Sequence, residues 1–262
     1  GPLTADDCAR YDYAPAVAAI LAETGASSVQ VVAHCFGALT LSMALLAGHV
    51  KGVRSAILSQ VALDVVAAGA MQRVLAHLRA AVVARKLGQD RIDMRPSAAG
   101  TVVNGWLDRL GAMTAGDKGA RGRQSGAFSL LFGAPEEDAQ MDHLSAEAAA
   151  DLTGEISTGL LANLELMVRC KVPVDARGEN VYMPRLDRMA FPIALLQGGR
   201  NACFDPSGTD RSLTKLSARN GARLYERHLF AGYGHNDCLI GRNAARDVYP
   251  AVLAHLERFQ SV

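Results

Sequence analysis

The stretch from residue 29 to residue 38 constrains the fold of this 262-residue chain more than any other. Its first residues, three of them valine, can lie in a buried strand, and they run into Cys35. An apolar run typical of a helix follows, over residues 39–46. Small residues lie two positions before and two positions after the cysteine, at Ala33 and Gly37. We expect larger side chains there to clash where strand and helix meet. The stretch predicts a strand, a sharp turn with one nucleophile-capable side chain, and a helix.

Composition narrows the class of protein to which this unit can belong. Half of the residues are hydrophobic and a fifth are charged, which is enough apolar material for a real core. The net charge of +1 gives no indication of a nucleic-acid partner. No apolar stretch reaches the length of a membrane span, and no signal-peptide pattern occurs. The five cysteines are odd in number and dispersed, which predicts reduced thiols and a cytoplasmic location.

After a helix predicted over residues 13–23, the elbow and a second strand predicted over residues 53–61 form a strand–helix–strand unit whose strands run parallel. Strand signals then stop between residues 64 and 185. That segment predicts helices over 67–87 and 145–168, with a glycine-rich surface loop at 111–126. An insertion of about 120 residues is too long for a loop, and we interpret it as a helical cap or lid.

The core pattern returns after the predicted cap. Alternating strands and helices are predicted in the order strand, helix, strand and helix, at 191–197, 207–219, 222–230 and 244–259. The predicted organisation is therefore a core part at 1–63, a mostly helical cap at 64–185 and a second core part at 186–262. The predicted fold class is α/β, with a mostly parallel sheet, flanking helices and a large cap.

Polar residues follow three of the predicted strands: Cys35, then Asn201 or Asp205, then His235. The carboxyl ends of parallel strands meet at one edge of a sheet, so these residues can converge. A helix N-terminus and a neighbouring imidazole both favour a thiolate at Cys35. His235 lies in a glycine-flanked loop and can protonate a leaving group. A third side chain is needed to orient the imidazole and fix its tautomer.

Several segments together resemble the α/β-hydrolases, and the resemblance covers the whole chain. They are Thr4–Asp7, Tyr11–Tyr13, Val31–Gly37, Leu186–Arg188, Tyr225–Arg227, Gly232–Cys238 and Ala244–Pro250. More closely, the chain resembles the hydrolase-like domain that accompanies some bacterial glucose–methanol–choline (cholesterol-oxidase-type) oxidoreductases. It is more distantly similar to polyhydroxyalkanoate synthases, which also carry cysteine in a lipase-like box, and to dienelactone hydrolase.

The resemblance implies roles for the candidate residues. Val29–Ala38 corresponds to the nucleophile elbow, with alanine in place of the first glycine and cysteine in place of serine. The acid position lies three residues after Gly198 and holds Asn201. Asp205 is the alternative, and Asp237 ranks behind both. The backbone N–H of Phe36 is the first oxyanion donor, and His34 is expected to support the site without reacting.

The resemblance also implies strands upstream of the elbow, yet only 34 residues precede Cys35. We expect an upstream segment or a partner chain to supply those strands and a second oxyanion donor.

Three functions follow from these patterns. The first is hydrolysis of an ester, thioester or lactone of a hydrophobic acyl or sterol-like substrate through Cys35. The second is acyl transfer through the same Cys35–His235 pair. The third is a non-catalytic module that partners an oxidoreductase domain. No glycine-rich nucleotide motif follows a strand and no zinc-ligand spacing occurs, so no cofactor and no metal are predicted.

Overall fold

A four-stranded parallel sheet forms the centre of the molecule. The computed structural model describes residues 3–95, 105, 109, 131–132, 137–141 and 153–260. The sheet order is β1-β2-β5-β6, and each neighbouring pair is parallel. Its strands are β1 (Val29–His34), β2 (Val53–Ser59), β5 (Ile193–Gly198) and β6 (Tyr225–Phe230). The predicted mostly parallel sheet is confirmed.

Helices flank this sheet on both faces. They are α1 (Ala5–Tyr11), α2 (Tyr13–Thr24), α3 (Phe36–Ala47), α4 (Ala70–Leu78), α5 (Ala80–Lys86), α6 (Thr158–Cys170), α7 (Ser207–Asn220), α8 (Asp237–Ile240), α9 (Ala244–Asp247) and α10 (Tyr249–Arg258). Short 3₁₀ segments occupy Asp138–Gln140, Met183–Met189 and Ala222–Leu224. None of the helices in the described residues combines the length and the apolar character that crossing a bilayer requires.

Helix α3 is the most deeply buried of these elements. Its residues from Ala38 to Leu46 are all buried, because apolar side chains surround the helix on every side. Gly48 ends it in the left-handed conformation, with φ 76°. The hydroxyl of Tyr13 donates to the carbonyl of Gly37 at 2.8 Å and anchors the first turn. The N-terminus of α3 is therefore held in a fixed place beside the carboxyl end of β1.

The predicted cap segment differs from expectation in two ways. The helix predicted over 67–87 is two helices, α4 and α5, separated at Arg79, where φ is 54°. The segment also contains an antiparallel pair of strands, β3 (Arg91–Asp93) and β4 (Glu155–Ser157), which the sequence did not indicate. Three-residue strands are too short to show a period, so tertiary contacts specify them. The predicted loop at 111–126 and the residues 145–152 of the predicted helix lie outside the described residues.

Candidate active site

Cys35 occupies a strained turn between β1 and α3. Its backbone has φ 54° and ψ −128°, a region that residues other than glycine rarely adopt. Backbone hydrogen bonds hold it there: its N–H donates to the Ser59 carbonyl at 3.0 Å, and its own carbonyl accepts from Ala38 and Leu39. Strain of this kind concentrates at functional sites, where it fixes the direction of a side chain. The predicted strand–turn–helix unit is confirmed.

The clash predicted for larger side chains at Gly37 does not extend to a methyl group. Beyond its chain neighbours and the backbone of its own helix, a Cβ added at Gly37 would meet nothing within 4 Å. The close approach occurs instead where the exit loops of β5 and β6 meet. A Cβ on Gly198 would lie 1.9 Å from the Gly234 carbonyl oxygen, and one on Gly199 would lie 2.8 Å from the Ala231 Cα. These two glycines let the loop of Asn201 pack against the loop of His235.

The structure brings Asn201 and His235 into contact. The His235 side chain is buried, and its Nδ1 lies 3.0 Å from Asn201 Nδ2. The Asn201 Oδ1 accepts hydrogen bonds from the backbone N–H groups of Cys203 and Phe204, at 2.8 and 2.9 Å. Asn201 Nδ2 also donates to Gln60 Oε1 at 2.9 Å. Every polar atom of the Asn201 side chain therefore has a partner.

Gln60 fixes which way the Asn201 amide faces. Its Oε1 accepts from the backbone N–H of Gly198 at 2.9 Å, so an amide hydrogen of Asn201 must face it on the other side. Backbone N–H groups donate to Gln60 Oε1 and to Asn201 Oδ1, so the NH₂ group of Asn201 points at His235. Nδ1 of His235 therefore accepts, and the neutral ring carries its proton on Nε2. This tautomer is the opposite of that of a triad base, whose Nδ1–H donates to an acid.

Burial sets the charge states of the two candidate reacting groups. Burial, together with the smaller effect of the nearby His34, lowers the pKa of His235 to about 3, so the imidazole is neutral at physiological pH. Burial also raises the pKa of the Cys35 thiol to about 11, although the N–H of Phe36 opposes this shift. Within the described part of the chain, no hydrogen bond joins the Cys35 sulfur to the imidazole of His235. Both shifts favour a thiol beside a neutral ring, whereas the sequence predicted a thiolate, which stays a prediction.

The other candidate residues do not touch Nδ1 of His235. Asp205 Oδ1 accepts from the backbone N–H of Ser207 at 2.9 Å, at the start of α7. Asp237 Oδ2 accepts from the N–H of Gly234 at 2.8 Å and shapes the histidine loop. Asn201, and neither aspartate, therefore contacts the ring.

His34 lies beside His235. Its ring centroid is 4.8 Å from that of His235, and its Nδ1 is 3.1 Å from Ser59 Oγ. Its Nε2 is 3.3 Å from Asn236 Oδ1. Sequence reasoning missed Gln60, although a buried polar residue directly after an apolar strand is a signal that could have found it.

Cys35 and His235 line one cavity of about 340 Å³. Its remaining walls are mostly apolar and include Phe36, Met94, Phe132, Ile156, Leu160 and Phe204. Strand β4 and helix α6, both within the predicted cap, form one side. The described residues contain no group of three or more His, Cys, Asp or Glu side chains placed to hold a metal ion. The geometry therefore offers a thiol, a hydrogen-bond donor and an apolar chamber.

Comparison with known proteins identifies the fold of the chain. No protein-family model matches the sequence, and no curated protein matches it significantly. A thermophilic esterase from Thermogutta terrifontis matches in structure over 100% of this chain and 75% of its own, with a TM-score of 0.56 and 10% identity. A bacterial membrane phospholipase A matches over 100% and 66%, with a TM-score of 0.51 and 13% identity.

A monoacylglycerol lipase from Paleococcus ferrophilus matches over 98% of this chain and 77% of its own, with a TM-score of 0.50 and 14% identity. The chain therefore spans between 66% and 77% of the length of these three neighbours. Together with the parallel sheet and the strained turn at Cys35, these similarities show that the chain has the α/β-hydrolase fold.

Proposed function

We propose that this chain hydrolyses a carboxylic ester or thioester with an apolar acyl group, through Cys35. One observation carries the proposal: the strained Cys35 and the buried His235 face the same apolar cavity of about 340 Å³. Three proteins with the same fold are called an esterase, a lipase and a phospholipase, which supports ester chemistry. The cavity falls within the range of about 300–1,000 Å³ that is usual for small-molecule sites.

In the proposed reaction the Cys35 thiol first gives its proton to solvent water or hydroxide. The thiolate then attacks the carbonyl carbon, and a C–S bond forms. The oxyanion accepts a hydrogen bond from the N–H of Phe36 at the N-terminus of α3, where the helix dipole also favours negative charge. The bond to the leaving group breaks and leaves a thioester on Cys35. Water or hydroxide then attacks this thioester, the acid is released, and the sulfur leaves as the thiolate.

The tautomer of His235 narrows the substrate class. A neutral ring that carries its only proton on Nε2 cannot give that proton away without becoming an imidazolate. It serves instead as a hydrogen-bond donor inside the cavity. The leaving group must then depart as its anion, which favours thiolates, with a pKa of about 8.5 for a cysteine-like thiol, over simple alkoxides. Thioesters and aryl esters are therefore the proposed substrates.

The test compares hydrolysis of an acyl thioester by the wild type, Cys35→Ala and Cys170→Ala. Cys170 is exposed at the end of α6 and provides the matched control. We expect Cys35→Ala to lose hydrolysis above the buffer rate and Cys170→Ala to keep it. Full activity in Cys35→Ala would rule out the nucleophile. Release of free acid supports hydrolysis, whereas a new ester with an added alcohol would support the predicted acyl transfer.

The charge states favour a second candidate, a non-catalytic module that binds an apolar carbonyl compound. A thiol with a pKa of about 11 beside a neutral ring is not activated at neutral pH. Phe36 N–H and His235 Nε2–H could then bind a carbonyl oxygen without bond formation. Reversible binding of an apolar ketone with no thioester turnover would favour this module. The oxidoreductase partner, and the upstream segment or partner chain that supplies a second oxyanion donor, stay predictions.

A further inference from the structure

A second cavity lies between helices α5 and α6, and its volume is about 350 Å³. The residues of α6 that line it are spaced three or four apart and share one helix face: Gly159, Ala162, Asn163 and Leu166. The residues of α6 that line the chamber of Cys35 lie on the opposite face, and they are Leu160, Leu161 and Leu164. Helix α6 therefore separates the two spaces.

Three cationic side chains line this second cavity. Arg85 and Lys86 come from α5, and Arg79 comes from its N-cap. Among the described residues, no carboxylate lines the cavity with them. Within that same part of the chain, the side chains of Arg85 and Lys86 have no hydrogen-bond or ion-pair partner. The described walls therefore carry three positive charges and no negative one.

Two neighbouring carboxylates bind backbone N–H groups instead of the cations. Asp6 Oδ2 accepts from the N–H of Ala176 at 2.6 Å. Asp7 Oδ2 accepts from the N–H of Thr4 at 2.8 Å, as part of the cap of α1. Thr4 and Ala176 both line the cavity, but these two aspartates do not. The hydrogen bonds therefore keep the acidic groups at the edge of the site out of its walls.

Arg79 occupies a strained position beside the cavity. Its backbone has φ 54° and ψ 49°, a region that long side chains rarely adopt, and it breaks the helical path between α4 and α5. Arg85 and Lys86 lie in the last turn of α5, where the helix dipole favours cations even without a ligand. The dipole does not favour Arg79, which lies at the opposite end, and Glu165 balances its charge only in part. The break thus adds a third cation to the two that the dipole favours.

The charge and the size of the cavity indicate the chemical class of its ligand. A phosphate monoester carries a charge of about −1.5 to −2 at pH 7, whereas a carboxylate carries −1. Guanidinium groups bind pairs of phosphate oxygens. A volume of about 350 Å³ is in the range usual for small-molecule sites, and Val82, Ala162 and Leu166 give it an apolar wall. The cavity therefore matches a phosphate that carries an apolar group.

We propose that this cavity is a second binding site, which takes a phosphate monoester of an apolar group. The phosphate contacts Arg79, Arg85 and Lys86, and the apolar group packs against Val82 and Leu166. The site goes beyond the proposed hydrolysis and does not depend on it, because α6 separates it from Cys35 and its ligand needs no reaction there. A soluble phosphate ester and a lipid head group share this chemistry.

The first experiment uses isothermal titration calorimetry of the wild-type chain at low salt. The probes are phenyl phosphate, methyl phosphate, benzoate and phenol, which separate the contribution of charge from that of the apolar group. We expect phenyl phosphate to bind about tenfold more tightly than methyl phosphate and benzoate, and phenol not to bind measurably. Equal or tighter binding of benzoate would overturn the assignment to phosphate. Equal binding of methyl phosphate would overturn the apolar part of the site.

A pair of double variants tests the residues. Arg85→Gln/Lys86→Gln removes two of the three charges, and Lys51→Gln/Arg223→Gln removes two charges at exposed positions outside the cavity. We expect the first variant to bind phenyl phosphate about tenfold more weakly and the second to bind it like the wild type. Equal weakening in both would mean that net charge alone attracts the anion, and would overturn the site. Thioester hydrolysis should stay unchanged in both, because none of these residues lines the chamber of Cys35.

Vesicle sedimentation distinguishes the two sources of the phosphate. It compares vesicles of phosphatidylcholine with vesicles that also contain phosphatidic acid. Binding that requires phosphatidic acid and is lost in Arg85→Gln/Lys86→Gln would assign the site to a lipid head group. Binding of phenyl phosphate without binding of vesicles would assign it to a soluble ester. Both results uphold a phosphate site, and binding of neither probe would overturn it.

Discussion

At the residue scale, the orientation of one amide sets the chemistry of His235. The spacing of strands and exit loops predicted Cys35 and His235 and left Asn201 or Asp205 between them, and the resemblance to the α/β-hydrolases favoured Asn201. The tautomer could not be predicted, because it depends on three backbone N–H groups that fix the oxygens of Asn201 and Gln60. No periodicity in the sequence records where those N–H groups point.

Asn201→Asp tests this orientation. A carboxylate oxygen would replace the NH₂ group and face Gln60 Oε1, which the Gly198 N–H holds in place. Two acceptors in contact, with one donor lost, should lower the free energy of unfolding by about 1–3 kcal/mol. The loss should shrink as pH falls and the new carboxyl becomes protonated. Denaturant unfolding at several pH values measures it, and Asp205→Asn is the control. Unchanged stability near neutral pH would contradict the role assigned to Gln60.

The raised pKa of Cys35 predicts how the rate of its alkylation changes with pH. The thiolate is the nucleophile, so a pKa of about 11 leaves about one molecule in ten thousand reactive at pH 7. The rate of alkylation by iodoacetamide should therefore rise about tenfold per pH unit through the alkaline range. Mass spectrometry of the labelled Cys35 peptide gives this rate. A plateau below pH 9 would mean that the pKa is lowered rather than raised.

At the scale of elements, the close packing of two loops holds the site together. Periodicity could predict β1, α3, β5 and α7, since each is long enough to show a pattern. It could not predict the break at Arg79 or the pair β3–β4, because tertiary contacts specify them. Contact between the exit loops of β5 and β6 is likewise visible only in three dimensions.

Two glycine substitutions test whether glycine is required at the contact between the two exit loops rather than in the turn at Cys35. Gly198→Ala would bring a Cβ to 1.9 Å from the Gly234 carbonyl oxygen, so both loops must shift. We expect a loss of about 3 kcal/mol in the free energy of unfolding and a changed environment of His235. Gly37→Ala should be neutral or stabilise by up to about 1 kcal/mol, because its Cβ meets open space. Thermal and denaturant unfolding compare the two variants. The reverse order would contradict this account of the turn.

At the scale of the whole molecule, three distant parts of the chain form one chamber. Residues near Cys35, the segment with β4 and α6, and the loops after β5 and β6 all contribute walls. The sequence predicted both the cap and its apolar character. It could not predict that Leu164 of α6 would line the chamber beside Cys35, because the placement of α6 depends on packing against distant parts of the chain.

Filling the chamber should change selectivity for acyl length. Leu164→Trp would occupy space in the chamber and leave the thiol accessible. We expect kcat/KM for a long-chain acyl thioester to fall about tenfold or more, whereas the value for an acetyl thioester changes little. Steady-state kinetics with both substrates provide the comparison. Equal losses for the two substrates would show that the acyl chain does not lie in this space.

We expect Cys35 to carry the acyl group during turnover. The test mixes the wild type with an acyl thioester, quenches the reaction in acid before turnover is complete, and maps the protein by mass spectrometry. The acyl mass should lie on the peptide that contains Cys35, and it should be absent in Cys35→Ala. Turnover without any acyl group on Cys35, or with the acyl group on another residue, would contradict this expectation.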